Sequence, residues 1–182
     1  MTIGLLRSIK ESELELMLSW RNAPQVRANM YSRHEIGLGE HLAWWGRVKE
    51  NPRFSYFIYE FDSRPLGVVA FTDIDDDNGN SSWAFYAAPD APKGTGSRME
   101  FLALERAFGV MSLHKLHCEV LDFNKAVINL HHKFGFKIEG VFREHHKVND
   151  VFVDVHRMGI LSSEWGARRA YILEQISTPK RG

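Results

Sequence analysis

The segment Asn124-Lys-Ala-Val-Ile-Asn-Leu-His-His-Lys-Phe-Gly-Phe136 decides how the fold of this chain is interpreted. Its pattern predicts a helix from Asn124 to Phe134. The strand-like stretch LHKLHCEVL precedes this helix. Two further strand-like stretches, KIEGVFREH and VFVDVHRMGIL, follow it and predict a hairpin around Asn149-Asp150. We therefore expect a strand, a helix and two strands in the C-terminal part of the chain.

A second segment, Pro92-Lys93-Gly94-Thr95-Gly96-Ser97-Arg98, precedes the amphipathic stretch MEFLALERAF. The first turn of a helix has backbone N–H groups without internal partners, and the helix dipole attracts anions to that end. Glycine at positions 94 and 96 would let a phosphate approach the backbone closely. An ordinary turn into a helix explains the same pattern. Walker A and dinucleotide motifs are excluded, because Ser97, Arg98 and Met99 follow Gly96.

The composition limits the class of protein. A chain of 182 residues is long enough for one domain with a substantial core. Lys plus Arg and Asp plus Glu number 23 each, which argues against nucleic-acid binding through bulk positive charge. One cysteine excludes an internal disulfide and a thiolate zinc cluster, and fits a reducing compartment. The chain shows neither a signal-peptide pattern nor a membrane-spanning apolar run, so we expect a cytoplasmic protein with no membrane partner.

The remaining elements are predicted from apolar periodicity and turn residues. Their order is strand, two helices, three antiparallel strands, helix, strand, helix, two strands and a final helix. The fold class is therefore α/β (α+β), with the glycine segment at the end of a strand, where open sheets bind ligands. The expected elements before and after the two segments are a strand over 2–9, a helix from a capping box at Ser12–Glu15 to Pro24, a helix over 40–49, strands RFSYFIYEF, LGVVAFTDI and SSWAFYA, and a final helix from Ser162 or Ser163 towards Gln175.

Motifs for metal binding and for a catalytic nucleophile are not found. The acidic run from Asp73 to Asn80 fails as a calcium loop, because Asn78 and Ala84 stand where glycine and glutamate are required. The nine histidines include no HExxH pair, and the sequence contains no GxSxG motif. Cys118 lies inside a predicted strand, where a buried structural thiol is the default. We expect no metal site.

Together, the two quoted segments resemble the signature motifs of the GCN5-related N-acetyltransferase (GNAT) superfamily. Gly94 and Gly96 match the motif Q/R-x-x-G-x-G/A, and Asn124, Gly135 and Phe136 match a pattern close to N-x-x-A-x-x-x-Y-x-x-x-G-F. The resemblance implies a single acetyltransferase domain over residues 1–182. It also implies a mixed, largely antiparallel seven-stranded sheet flanked by helices, and acetyl-CoA as co-substrate.

The resemblance also implies where acetyl-CoA binds. The strand that carries WAFYA is expected to separate from the strand that carries LHCEVL, so that pantetheine bonds the freed backbone. Ala91 stands where the first motif has Gln or Arg, and Lys93 and Arg98 are expected to compensate. The implied cofactor-binding residues are Phe85, Tyr86, Ala87, Lys93, Gly94, Thr95, Gly96, Ser97, Arg98, Asn124 and Lys133.

Three residues are candidates for the acetyl transfer itself. The backbone N–H of Tyr86 or of Ala87 is expected to polarise the thioester oxygen. Glu119 is the candidate base, directly or through a water, and the alternative for it is a salt bridge on the sheet face. His131 stands at the tyrosine position of the second motif and is the candidate acid. Its ordinary pKa of about 6.5 would let it donate or accept a proton near neutrality; the alternative is a helix histidine that only forms a hydrogen bond.

Within the superfamily, the segments WRN and VR resemble the pseudaminic-acid branch, whose members acetylate UDP-4-amino-4,6-dideoxy-N-acetyl-β-L-altrosamine. This resemblance implies a nucleotide amino-sugar acceptor and a place in flagellin glycosylation. Arg21 and Arg27 suit phosphate, and Trp44 could stack on uracil; core packing is the alternative for Trp20 and Trp44. The implied acceptor residues are Trp20, Arg21, Asn22, Arg27, Met30, His41 and Trp44.

Two other functions remain open from the sequence. One is another enzyme of the same superfamily, acting on a protein N-terminus, a ribosomal protein or a small amine. The other is a non-catalytic acyl-CoA-binding module, which the departures at Ala91 and His131 favour. A homodimer is an expected assembly in each case.

Overall fold

A seven-stranded sheet organises the chain, which a computed structural model describes from residue 3 to residue 177. The strand order is β1-β2-β3-β4-β5-β7-β6, and every neighbouring pair is antiparallel except β4 with β5. This is the largely antiparallel, mixed sheet that the sequence predicts. The strands are β1 Leu5–Ser8, β2 Ser55–Phe61, β3 Arg64–Asp75, β4 Asn80–Ala87, β5 Lys115–Leu121, β6 Lys137–Val148 and β7 Val151–Leu161.

Helices cover both faces of the sheet. α4 continues into a π-helical turn at Arg106–Val110, and a 3-10 turn at Glu11–Glu13 precedes α1. Among the described residues, no helix is long and apolar enough to cross a membrane. The helices are α1 Leu14–Asn22, α2 Pro24–Arg27, α3 Leu38–Val48, α4 Thr95–Glu105, α5 Lys125–Phe134 and α6 Ser162–Ser177.

Some of the predicted boundaries are wrong. The capping box expected at Ser12 is not formed, because Glu13 accepts the backbone N–H of Lys10 at 2.9 Å and Ser12 lies inside the 3-10 turn. β1 begins at Leu5 rather than Thr2, which lies outside the described residues. The turns of the hairpins are correctly predicted. Asn149 and Asp150 both have positive φ, which matches the right-handed twist of the strands they join.

Two apolar clusters divide the core between the two faces of the sheet. The larger cluster packs α4, α5 and α6 on one face and contains Trp83. The smaller cluster packs α1 on the other face and contains Trp20, with Tyr86 against it. Successive residues of β4 therefore face opposite layers, since Phe85 packs on the larger cluster and Tyr86 on the smaller one. A ligand between β4 and β5 would be reachable from both layers.

Candidate active site

A cleft opens where β4 and β5 separate. The two parallel strands pair only at Asn80 with Lys115, Ser81 with Leu116 and Ser82 with His117. Beyond these pairs lies a cavity of about 730 Å³. This separation is the one that the superfamily resemblance implies. The lining residues that the sequence singled out are Met30, Phe85, Tyr86, Ala87, Glu119, Asn124 and His131.

The glycine segment forms the N-terminus of α4. Gly94 has a φ of 90°, a left-handed conformation that favours glycine, and α4 begins at the next residue. Thr95 is buried and its hydroxyl donates to the carbonyl of Pro92 at 2.8 Å, which fixes the turn. The N–H groups of Gly96 and Ser97 have no acceptor among residues 3–177. This N-terminus therefore offers free donors in open space, which fits the pyrophosphate of CoA.

Lys93 and Arg98, the two cations expected near this helix end, lie in different surroundings. Arg98 places its guanidinium carbon 4.4 Å from the centre of the Phe61 ring, on the side of β2, where it forms a cation–π contact. Lys93 is exposed in the turn itself. Ala91, where the motif has Gln or Arg, packs against both apolar clusters. Of the two cations expected to compensate for Ala91, Lys93 is therefore the better placed. Lys133 is exposed on α5.

His131 lies in a buried, aromatic part of the cleft wall. Its side chain is 3% exposed, and its Nδ1 lies 2.9 Å from Oε1 of Glu100, whose side chain is fully buried. The rings of Trp83 and Phe136 have centroids 5.4 and 5.0 Å from the imidazole. Burial is the largest influence on the pKa of His131 and lowers it, but the charge of Glu100 and the neighbouring Cys118 together raise that pKa to about 10. The contact with Glu100 therefore favours the protonated form of His131, and its role as the candidate acid stays a prediction.

Glu100 is a site residue that the sequence analysis missed. It is three and four residues before Ala103 and Leu104, which are buried, so helical periodicity placed it on the buried face of α4. A charged residue on such a face was the available signal. Burial raises the pKa of its carboxyl, against the attraction of His131.

Glu119 lies on β5 with both carboxylate oxygens occupied. Oε1 accepts a hydrogen bond from Nη1 of Arg157 at 3.1 Å, and Oε2 accepts one from the hydroxyl of Tyr31 at 2.9 Å. Each side chain of the Glu119–Arg157 pair is 30% exposed. The salt bridge expected as one alternative is therefore formed, across β5 and β7, and the role of Glu119 as the base stays a prediction.

Tyr31 is a second residue that the sequence analysis missed. It lies in the segment between α2 and α3, and its ring centre lies 4.8 Å from that of His146 on β6. Burial and the contact with Glu119 raise the pKa of its phenol, so the hydroxyl stays protonated and donates. An isolated aromatic residue in a polar connecting segment was the available signal.

Three of the expected acceptor residues hold that connecting segment in place. Nη2 of Arg21 donates to the backbone oxygen and the hydroxyl of Ser32, each at 2.9 Å. Asn22 exchanges two hydrogen bonds with the backbone of Ile36, at 2.8 and 2.9 Å. Arg27 lies 3.6 Å from Glu35. These contacts position the loop that brings Asn29, Met30 and Tyr31 to the cavity wall.

The other expected acceptor residues pack away from the cavity. Trp20 is 6% exposed in the smaller apolar cluster. His41 stacks on Trp44 with a centroid distance of 5.1 Å, and Trp44 meets Tyr56 edge-to-face at 5.0 Å. The structure therefore brings Met30 alone of these seven residues to the cavity, and acceptor contacts by the others stay predictions. Within residues 3–177, no group of three or more His, Cys, Asp and Glu could hold a metal ion.

Comparison with known proteins identifies the family. The sequence pattern of the acetyltransferase (GNAT) domain matches residues 5–137. The chain belongs to the GNAT acetyltransferase family. It is 26% identical over 130 residues to the acetyltransferase PseH of Campylobacter jejuni, which covers 71% of this chain and 80% of that protein. It is also 26% identical over 110 residues to the spermidine N(1)-acetyltransferase of Escherichia coli K12, covering 60% and 59% of the two chains.

The fold of this GNAT protein has solved counterparts. A spermidine N-acetyltransferase from Vibrio cholerae, solved in complex with CoA and spermine, superposes with a TM-score of 0.82 at 23% identity. The match covers 88% of this chain and 96% of that chain. Since the family transfers acetyl groups from acetyl-CoA, the protein is an acetyl-CoA-dependent N-acetyltransferase. This finding sets aside the alternative of a non-catalytic acyl-CoA-binding module.

A side chain at position 96 should weaken acetyl-CoA binding without unfolding the protein. A Cβ there would lie 3.4 Å from Leu130 and 3.6 Å from Phe85, which are ordinary contacts. Gly96→Val should nevertheless hinder access to the N–H groups of Gly96 and Ser97. Because a hydrogen bond to a charged group contributes about 1.5–3 kcal/mol, we expect the Kd for acetyl-CoA to rise about 10- to 100-fold by calorimetry.

The matched control for this change is Gly166→Val in α6, where a Cβ meets nothing within 4 Å. It makes the same exchange in a helix outside the cleft and should leave the Kd unchanged. A folded Gly96→Val protein that binds acetyl-CoA like the parent would contradict the assignment of this turn to the pyrophosphate.

Proposed function

We propose that this enzyme acetylates the 4-amino group of a UDP-amino-sugar, UDP-4-amino-4,6-dideoxy-N-acetyl-β-L-altrosamine, as one step of pseudaminic acid biosynthesis. The observation that carries the proposal is the charge of the cavity wall. Its two carboxylates, Glu119 and Asp73, both face arginines, at 3.1 Å from Arg157 and 3.5 Å from Arg53. A polyamine carries several positive charges and needs unpaired carboxylates, whereas an acceptor with phosphates needs cations.

The polar groups beside Glu119 also suit a sugar. The side chains of Gln25 and Asn29 line the same cavity, and amides can donate to and accept from hydroxyl and acetamido groups. Arg157 faces Glu119 across β5 and β7 and lines the same cavity, which supports an acceptor with negative charge. These groups support an acceptor with many oxygen atoms and negative charge.

Direct transfer needs only three protein groups. Glu119, itself or through a water, takes a proton from the acceptor ammonium, and the neutral amine attacks the thioester carbonyl. A backbone N–H of Tyr86 or Ala87, on the strand edge that β5 leaves unpaired, polarises the carbonyl oxygen. His131, protonated beside Glu100, gives a proton to the departing thiolate. One N–C bond forms and one C–S bond breaks. The second proton of the attacking nitrogen passes to water as the amide forms, and no covalent enzyme intermediate is needed.

Polyamine acetylation is the competing function. Its support is the 26% identity to the spermidine N(1)-acetyltransferase of Escherichia coli K12. The identity to PseH is also 26%, over 130 rather than 110 residues. Sequence identity to these relatives therefore does not distinguish a nucleotide sugar from a polyamine as the acceptor. The paired carboxylates of the cavity favour the sugar.

A direct competition between acceptors tests the proposal. Purified protein with acetyl-CoA is offered the UDP-4-amino-sugar, spermidine, spermine and a peptide with a free N-terminus. We expect mass spectrometry to show one added acetyl group on the nucleotide sugar. Its kcat/KM should exceed that of spermidine by about 100-fold or more, a difference of about 2.7 kcal/mol. A preference for spermidine or for the peptide would overturn the assignment while leaving the enzyme an N-acetyltransferase.

A further inference from the structure

A fully buried carboxylate lies behind the candidate acid. Glu100 projects from α4, and its Oε1 lies 2.9 Å from Nδ1 of His131 on α5. Its other oxygen, Oε2, is buried and has no hydrogen-bond partner among residues 3–177. Because Nδ1 is occupied, only Nε2 of His131 remains to face the cleft, whose wall His131 forms. We propose that Glu100 is a positioning residue that keeps His131 protonated and directs its Nε2 to the leaving thiolate, which rests on the proposed role of His131.

Stability alone does not explain this carboxylate. Burying a charge is costly, and a buried ion pair is often no more stable than apolar residues of the same volume. Here one of the two carboxylate oxygens, Oε2, has no hydrogen-bond partner among the described residues, so part of the free-energy cost of burying the charge is not offset. Neighbouring positions of α4 that point to the core, Met99, Ala103 and Leu104, are apolar and fully buried. An acidic residue in that layer is therefore best explained by its effect on His131.

The surroundings of His131 leave Glu100 as its main charged neighbour. Trp83 and Phe85 of β4 and Phe136 at the start of β6 contribute rings without charge. From β5, Cys118 lies beside the imidazole and also favours its charged form. From α5 itself, Lys133 acts on Glu100 and favours its ionised form. With Glu100 the pKa of His131 is about 10, and removal of the carboxylate would lower that pKa.

The sign of the pH effect follows from this difference. The donor form of His131 exists below its pKa. In the parent enzyme, His131 should stay protonated into the alkaline range, up to about pH 10. In Glu100→Gln, which preserves shape, the donor should be lost at a lower pH than in the parent.

The test compares pH profiles of kcat for the parent and Glu100→Gln, with whichever amine the enzyme acetylates best. We expect the ratio of parent to variant kcat to increase with pH and to reach about 10²-fold near pH 8. Titration of the His131 ring by NMR should show the same downward move of its pKa. In a His131→Tyr background the Glu100→Gln change should produce no such pH-dependent loss, because a phenol keeps its proton to about pH 10 without a carboxylate.

The matched control is Glu105→Gln on the same helix. The carboxylate of Glu105 accepts hydrogen bonds from Arg169 and from the indole of Trp165 on the other side of α4. Its replacement should therefore leave kcat at alkaline pH unchanged. A Glu100→Gln enzyme whose kcat falls equally at all pH values would show a merely structural carboxylate and overturn the proposal. Since the readout does not depend on which amine is used, failure of the sugar assignment would leave this result interpretable.

Discussion

Replacing His131 with phenylalanine should lower kcat by about 10²- to 10⁴-fold, with acetyl-CoA bound nearly as well as before. The imidazole lines the cavity and is the proposed donor to the leaving thiolate, and phenylalanine fills the space without donating. A thiol with a pKa of about 8.5 is a fair leaving group at neutral pH, so the loss should lie towards the lower end of that range. Single-turnover kinetics with saturating acetyl-CoA measure it.

The variant needs a control for folding, because it leaves Glu100 buried without a partner. Removing one member of a buried pair costs about 3–5 kcal/mol of stability. The double variant Glu100→Gln/His131→Phe removes that carboxylate charge and should fold more stably with the same low kcat. Equal activity of the folded double variant and the parent would make His131 a packing residue and solvent the proton source.

Much of the kcat that is lost in His131→Phe should be retained in His131→Tyr, because tyrosine is the residue type at this position of the superfamily motif. The sequence alone predicts a shifted pH profile for this variant, because an isolated imidazolium loses its proton near neutrality. The structure changes that expectation. With the pKa of His131 at about 10, close to that of a phenol, the profiles of parent and His131→Tyr should nearly coincide above pH 6.

Replacing Glu119 with glutamine should lower kcat/KM for the acceptor by about 10²- to 10⁴-fold at neutral pH. The amide keeps the shape of the side chain and an oxygen for Tyr31 or Arg157, but it cannot take a proton from the acceptor. The loss should shrink as the pH rises towards the pKa of the acceptor amine, because a growing fraction of that amine is already neutral. A pH series of kcat/KM measures this recovery.

Tyr31→Phe is the matched control for the base. It removes the hydrogen bond to Oε2 of Glu119 but leaves the carboxylate and its pairing with Arg157. We expect a loss of about tenfold or less without recovery at high pH. If Glu119→Gln behaves like Tyr31→Phe, then Glu119 only holds Arg157 and the connecting loop, and another group takes the proton.

The sequence predicts the order of elements well because local signals determine it. Alternating apolar residues place β4 between two layers, and the turn at Asn149 and Asp150 fixes the last hairpin. The glycine segment is placed correctly at the N-terminus of α4 for the same reason. The boundary at α1 is wrong because the side chain of Glu13, held by Arg7, accepts the backbone N–H of Lys10, so that a 3-10 turn begins before Ser12.

The candidate site is less predictable because its contacts join distant parts of the chain. The pair of Glu100 and His131 joins α4 to α5, and the contact of Tyr31 with Glu119 joins the loop after α2 to β5. Neither pairing leaves a local pattern in the sequence. Trp44 illustrates the opposite difficulty, since an aromatic residue suited to stacking on a base is equally suited to packing on Tyr56.

The short pairing of β4 with β5 has a consequence for the lifetime of the protein. Three residue pairs join the half of the sheet built from β1 to β4 to the half built from β5 to β7. A pantetheine chain that bonds the freed edge would act as a removable extra strand between the halves. Bound acetyl-CoA at a hundredfold excess over its Kd would add about 2.7 kcal/mol to the free energy of unfolding. When acetyl-CoA runs low, we expect the halves to part more often and proteases to degrade the enzyme faster, so that its abundance follows the supply of its own acetyl donor.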